Sequence, residues 1–545
     1  MARLSARSPY DGATRPCAEP LDICVHDTRA TFDSSNVERG HSMPTPSSTT
    51  QGLSQPVAST DPVLNHTDAL ALPSIHVPVD SLDTMTLPAV SGADFEISPE
   101  MSEDGIFLPG SLYEELHTTL RQNILSTARP QHPSYQVTPA RHANGENIAS
   151  SDNVASETGH AFELGPADPE AEVVLDPLHE YVLWKNWINE IAEWLDMFDT
   201  ERHFARVLPV MAQTCRHLRY SMLALSSRQI ERKHGSIPES VTLSLYSAAV
   251  HLLVPQLHHR DTTVLASCVI ICVLEMMSCS PKAWRRHLDG CACLVRSMGI
   301  FADSRGLERA LFLCFMRMDL CGGLISREPT LIPMSEWTSQ QSFEADVALF
   351  QSRSDVEWRA IYACYLLGCV IRLLFSSSAP DEAGSRRSQD EAEASYSNKW
   401  HQLFVALEDW YDTRPAAVLP VVCQKATPAQ PFPTLLFSSG AAINGNQLHH
   451  TAAIIMLQNI PRLTKRSSNR SILWHARRVC GITIYNDHHG CWVNSIQPLW
   501  IAGRVMSHPT EHQAINDIYA RIEEETGWGA TWRAEDLKQF WGDID

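Results

Sequence analysis

The stretch Trp284-Arg285-Arg286-His287-Leu288-Asp289-Gly290-Cys291-Ala292 decides the fold, together with the apolar run Val264 to Met277 before it and Leu311 to Cys321 after it. Apolar residues in all three recur at helical spacing, so each is expected to be a largely buried helix. Ser280-Pro281 has the cap-then-proline order that opens a helix, and Gly299 is placed to close it, which predicts a helix over Pro281 to Met298. Asp261 is positioned to cap the preceding helix, Thr262 to Met277.

Working outward, Leu183, Trp187, Ile191, Trp194, Leu195 and Phe198 fall on one stripe of a helix from about Glu180. A second is expected over Arg206 to Arg232, a third ends near Leu257, and others cover Gly306 to Ile325 and Trp358 to Phe375, the latter with Ser354 and Glu357 as a capping box. Further helices are expected at Trp400 to Tyr411, Asn446 to Asn459, Ser471 to Ile484, Pro498 to Met506, Glu511 to Glu525 and Ala534 to Trp541. Strand alternation hardly appears and no fixed-period repeat stands out, so the fold class is all-α.

Charge divides the chain. Up to Leu183 there are 26 acidic residues against 8 arginines, whereas the remainder carries 37 acidic and 35 basic residues. A segment so rich in Ser, Thr, Pro and Asp cannot bury enough apolar surface to offset chain entropy, so 1–105 is expected to be disordered. Residues 106–179 read as a partly ordered strap and linker, and 180–375 as the helical core. The Ser, Asp, Glu and Gly of 376–397 read as a flexible loop, and 398–545 as a C-terminal helical part packed on the core.

The 15 cysteines sit mostly inside apolar runs (Cys268, Cys272, Cys314, Cys364, Cys369), where they act as small hydrophobes of a reducing compartment. No apolar core of a secretory signal follows Met1, and the longest apolar run, Val264 to Leu274, is about half of a bilayer crossing. An intracellular protein without a membrane segment is expected.

Catalytic chemistry is thin. Glycine-rich phosphate loops, paired metalloprotease histidines and nucleophile elbows are missing, so no catalytic or metal residue is assigned and no enzyme is expected. An all-α enzyme with a site near His287 or Asp487 stays a remote alternative. His287 and Cys291, four apart on one helix, share a face, which permits ligation or an activated thiolate but fits a packed core contact better. Arg285, Arg286 and Asp289 suit a solvated ion-pair network before an anion site. Asn486 to Trp492 gathers imidazole, carboxylate and thiol, yet adjacent side chains point apart, which favours a turn over zinc. Arg462, Lys465, Arg466 and Arg470 make one local basic loop, while the acidic N-terminal segment would repel a duplex.

Several blocks share an order with a known family. Ile106 to Ser111, Tyr181 to Trp187, Trp194 to Asp199, Ala224 to Gln229, Cys279 to Gly299, Asn486 to Trp492, Pro498 to Arg504 and Glu525 to Gly529 resemble the regulatory region of fungal zinc-cluster transcription factors of the arginine-catabolism-activator type. The resemblance implies a nuclear RNA polymerase II regulator of metabolic genes, with coactivators, a homologous regulator or a second copy as partners and no membrane. An N-terminal cluster would hold zinc on six cysteines, but the early part of this chain offers only Cys17 and Cys24. The cluster is therefore expected to be missing here, zinc is expected only where such a cluster exists, and DNA contact is left open. A cluster-less protein that heterodimerises with intact regulators is the alternative.

Under that resemblance, Trp284, Arg285, His287, Asp289, Arg317 and Asp319 are the positions expected to couple a regulatory ligand to the helices. Phe95, Ile97, Ile106, Phe107 and Leu108, set among acids, suit either an activation segment that folds on a coactivator or a strap that docks on the chain's own core.

Overall fold

The computed structural model describes residues 111–128, 173–235, 237–278, 281–376, 386–462 and 470–543. The expected disorder of 1–105, the segment Phe95 to Leu108 and the pair Cys17 and Cys24 lie outside the described residues.

In α1 (Leu112–Ala128), Tyr113, Leu116, Leu120 and Ile124 recur every three or four residues and are all buried. Asp176 caps α2 (Pro177–Asn186) by accepting from the Leu178 and His179 N–H groups. The helix continues through a π turn, Trp187–Ile191, into α3 (Ala192–Leu195). Short α4 (His203–Arg206) and α5 (Leu208–Met211) lead to α6 (Arg216–His234), α7 (Glu239–Leu253), α8 (Thr262–Ser278), α9 (Pro281–Ser297) and α10 (Gly306–Ser326). Then come α11 (Phe343–Gln351), α12 (Val356–Phe375) and α13 (Arg386–Asp412). A two-stranded antiparallel ribbon, β1 (Val422–Gln424) with β2 (Thr434–Leu436), sets Val422 opposite Leu436. The chain closes with α14 (Gly440–Gln458), α15 (Ile472–Ile484), α16 (His489–Gly503), α17 (Pro509–Thr526) and α18 (Thr531–Trp541).

The all-α expectation holds, and the central helices explain why. α8 lies against α6, α9 and α10, so nearly every side chain from Val264 to Ser278 is buried. α12 is long and apolar enough to cross a membrane, but in this fold it is buried against α10, α13 and α14. Apolar burial at roughly 25 cal/mol per Å² is the main term holding such helices together. Asp261 caps α8 as expected, its Oδ1 accepting from the Thr263 and Val264 N–H groups at 2.8 and 2.9 Å.

Five local readings are corrected. The helix expected over Arg206 to Arg232 is interrupted, because Pro209 restarts the chain as α5 and Cys215 is extended at φ −115° before α6. The capping box does not form: α12 starts at Val356 with Asp355 as its unbonded cap. The loop expected over 376–397 is helical from Arg386, since the Gln389 to Glu393 run is made of residues that lose little entropy in a helix. α16 begins at His489 rather than Pro498; burial of Trp492 and Leu499 on either side outweighs the single N–H that Pro498 lacks. The β ribbon and α11 have no counterpart in the sequence reading.

α15 packs on β2 at a glycine, Gly481, where an added Cβ would stand 2.1 Å from the Pro433 carbonyl oxygen. Backbone cannot yield as a side-chain tip can. Gly481→Ala is expected to cost about 3 kcal/mol, the upper end of overpacking. Gly235→Ala, which ends α6 at φ +59° with open space around it, is expected to cost only about 1 kcal/mol. Thermal unfolding of the two variants side by side checks the ordering.

Candidate functional site

A cavity of about 450 Å³ opens where α3, α8, α9, α10 and α16 meet the turn between α17 and α18. Its size lies in the range of small-molecule sites. Arg317, on the buried face of α10 with Cys314 and Cys321, and Arg232 on α6 are the cations of its lining. The guanidinium donates from Nη1 to the Trp194 carbonyl at 3.0 Å, from Nη2 to the Leu195 carbonyl at 2.9 Å and from Nε to the Leu313 carbonyl at 3.2 Å. The Trp194 and Leu195 carbonyls are open acceptors at the end of the α2 to α3 run, so Arg317 closes a helix C-terminus. No carboxylate among the described residues lies within ion-pair distance of it, so its charge meets only dipoles.

Two residues of the same wall also carry unspent polar atoms. Trp194 Nε1 and Gln497 Oε1 are buried without a hydrogen-bond partner among the described residues. Trp194, Trp284, Trp528 and Trp532 give the cavity an aromatic lining, with Trp194 and Trp528 edge to face at 6.3 Å. Gly490 lets α16 come close to α3 at this wall, because a Cβ there would stand 2.9 Å from Trp194 Cα.

The turn that carries Trp528 is fixed from both sides. Gly527 ends α17 at φ +73°, and its carbonyl accepts from Arg232 Nε at 2.6 Å. Glu523 accepts from the Ala530 and Thr531 N–H groups; burial opposes its charge, but these hydrogen bonds prevail and hold its carboxyl below the usual range. The rim acids are engaged too, Asp536 with Arg533 at 2.7 Å and Glu535 with Lys538 at 2.8 Å. A ligand group with negative charge would thus meet an uncompensated cation at Arg317 and paired acids at the rim.

Of the six coupling residues read from the sequence, only Trp284 and Arg317 line this cavity. Arg285 is tied to Glu328 at 3.1 Å and to the Pro329 carbonyl at 2.8 Å. Asp319 accepts from the Leu331 and Ile332 N–H groups, and burial pushes its carboxyl up to about 6 against those bonds. Asp289 is half-buried on α9 and does not line the cavity. Asn494, Gln497, Trp528 and Arg232 were not singled out, although Trp194, Gly490 and Trp528 fall in stretches quoted for the family resemblance.

His287 belongs to a second polar centre. Its Nδ1 meets Glu275 Oε2 at 2.6 Å, His117 Nε2 lies 3.3 Å from the same oxygen, and the Tyr246 hydroxyl donates to Oε1 at 2.9 Å. Burial opposes the charge on Glu275, but His117 and His287 outweigh it and hold the carboxyl down at about 2. Burial likewise opposes protonation of His287, and the Glu275 charge with the facing Cys291 and Cys268 thiols raises it well above the usual value. The donor set could hold a metal, and its hydrogen bonds already satisfy both carboxylate oxygens. In this form it clamps α1, α7, α8 and α9. In the Asn486 to Trp492 stretch, Asp487 pairs with Arg521 at 3.0 Å, His488 caps α16, and His489 sits between Glu190 and Glu525 at 2.5 and 3.4 Å.

Comparison with known proteins adds identity to geometry. Residues 181–543 match the fungal specific transcription factor domain. The transcription activator AMTR1 of Alternaria alternata is 21% identical over 503 residues, covering 69% of this chain and 65% of that protein. An uncharacterized protein of Emericella nidulans is 29% identical over 99 residues, covering 17% of this chain and 21% of the relative. The chain thus spans less than two thirds of the length of the curated relatives it matches. No solved structure matches it.

Glu275→Gln is expected to destabilise the fold by about 3 kcal/mol, because it leaves a buried ionic network with one partner removed. The depressed Glu275 contributes stability above its ordinary value of 4.5 and loses it as pH falls through about 2. The raised His287 contributes fully below 6.5 and loses it as pH rises through its elevated value. The deficit of the variant should therefore be greatest between pH 5 and 6.5. Thermal unfolding of both proteins across pH checks this, and equal midpoints throughout would disprove it.

Proposed function

Because the chain belongs to the fungal specific transcription factor domain family, we propose that it is a nuclear transcription regulator whose helical region senses a small anionic ligand in the Arg317 cavity. Family membership and the activator among its relatives support the regulatory role; the cavity supports the sensing role. The observation that carries the second part is Arg317, a buried cation whose partners are backbone carbonyls, the Met197 sulfur and the Phe198 ring, with no carboxylate among the described residues, beside an unpaired indole N–H and an unpaired amide oxygen. A carboxylate or phosphate seated there would add the counter-charge that a guanidinium binds best, in two parallel hydrogen bonds. The four indoles suit a flat apolar body on the same ligand.

Regulation then follows as a population shift. The cavity wall draws on α3, α10, α16 and the α17 to α18 turn, so a bound ligand favours whichever arrangement of these elements closes best on it. Partner surfaces that differ between the two arrangements, for a coactivator, a related regulator or a second copy, report the ligand. Transcription by RNA polymerase II of metabolic genes is the output that this reading assigns.

The full chain, probed with indole-3-acetate and its uncharged amide, tests the sensing role. The acid is expected to raise the unfolding midpoint and the amide is not. Arg317→Met should weaken the acid at least tenfold, the loss of one charged hydrogen bond worth about 1.5 to 3 kcal/mol. Arg317→Gln, which keeps amide N–H donors for the helix end but removes the charge, controls for folding and should weaken the acid likewise. Fused to a foreign DNA-binding module in a fungal reporter strain, wild type should show ligand-dependent output that Arg317→Met lacks. Identical responses of the two proteins to carboxylates and phosphates would remove the cavity from the mechanism.

A further inference from the structure

Outside the cavity and the Glu275 centre, one cluster is only partly satisfied, by a hydrogen bond between two of its own rings. His449 and His450 on α14 and His475 on α15 are fully buried where the two helices cross. His450 Nδ1 and His475 Nδ1 stand 2.9 Å apart, and one ring nitrogen from each of the three lies within 4.8 Å of the other two. Neither nitrogen of His449, nor Nε2 of His475, has a hydrogen-bond partner among the described residues. Each such orphan costs about 1 to 3 kcal/mol, and buried polar atoms of native folds are normally satisfied. Three buried imidazoles converge here, two of them sharing one hydrogen bond and His449 with none, an arrangement that a shared ligand explains.

The nearby guanidiniums have their own partners: Arg470 holds Glu408 at 2.8 Å and Asp412 at 2.7 Å, Arg414 donates to Asn446 Oδ1 at 2.8 Å, and Arg478 lies 4.1 Å over Trp474. Two carboxylates thus nearly balance three cations around the site. Trp410 stacks on His449 at 4.8 Å and 14°, closing one side with a flat apolar wall.

We propose that His449, His450 and His475 form a buried binding site for one transition-metal dication of the zinc class, which pins α15 to α14. Imidazole nitrogens suit zinc, copper and nickel, whereas calcium and magnesium need oxygen donors. Three nitrogens at about 2.0 to 2.1 Å from one ion must lie within about 4.2 Å of one another. The closest pair already does, and the third ring needs only a small rotation to join. The site is separate from the Arg317 cavity and from any N-terminal cluster.

The test uses the full chain stripped with a chelator, dialysed against Zn2+ and assayed for bound metal and unfolding midpoint. Wild type is expected to retain one equivalent more zinc than His475→Ala, and zinc should raise the midpoint of wild type only. His449→Gln, nearly isosteric, guards against misfolding and should weaken zinc at least tenfold. Zinc-edge X-ray absorption of wild type should report three imidazole nitrogens. Equal zinc in wild type and both variants, or a donor set without three imidazoles, overturns the proposal. Because the readout is metal, failure here is distinguishable from failure of the sensing role, which is read with an organic acid.

Discussion

The arrangement hinges on one buried guanidinium. The run from α2 through the π turn to α3 ends with carbonyls that no further turn of helix can satisfy, and Arg317 from the middle of α10 satisfies two of them. A neutral donor could make those bonds, but only a fork of N–H groups makes several at once while packing against Phe198. The same geometry leaves a positive charge with no counter-ion at a cavity wall. What is useful for folding is thereby incomplete as electrostatics, and a ligand can complete it.

Helices were legible wherever apolar spacing and punctuation agreed. Pro281 and Gly299 bracket α9 to within two residues of its ends, and Asp261 caps α8, because those signals act over one turn of chain. They failed where tertiary burial outweighed a local rule. Pro498 stops an isolated helix but not one whose flanks, Trp492 and Leu499, are already fixed in the core. The acidic run before Ser397 reads as loop by composition, yet Glu and Ala cost little in a helix once Trp400 and Phe404 are anchored.

The candidate site was legible only in fragments. Sharing a face at a spacing of four was enough to single out His287 and Cys291, but the partner that gives His287 its charge, Glu275, sits on another helix, and His117 on a third. The cavity is harder still. Its wall unites Trp194, Arg317, Gln497 and Trp528, drawn from four separate parts of the chain, and no local pattern encodes that meeting. The tryptophans were visible as family blocks; their common orientation was not. His449 and His450 are neighbours in sequence, but only the crossing of α14 with α15 brings His475 to them.

A cavity of this kind can act as a switch only if the ligand discriminates between two packings. Moving an equilibrium from 1:99 to 99:1 takes about 5.5 kcal/mol of differential affinity, more than one charged hydrogen bond supplies. The guanidinium alone is therefore insufficient, and the aromatic wall must contribute. Trp528 is the element suited to that role, since it rides on a turn whose backbone is held by Gln229, Arg232 and Glu523 rather than by helix. Closure of its indole on a flat ligand would strain or relax the hydrogen bonds to α6. The signal would then leave the cavity along α6, which also packs against α2, α7 and α8, so a local contact reaches much of the helical core through packing already present.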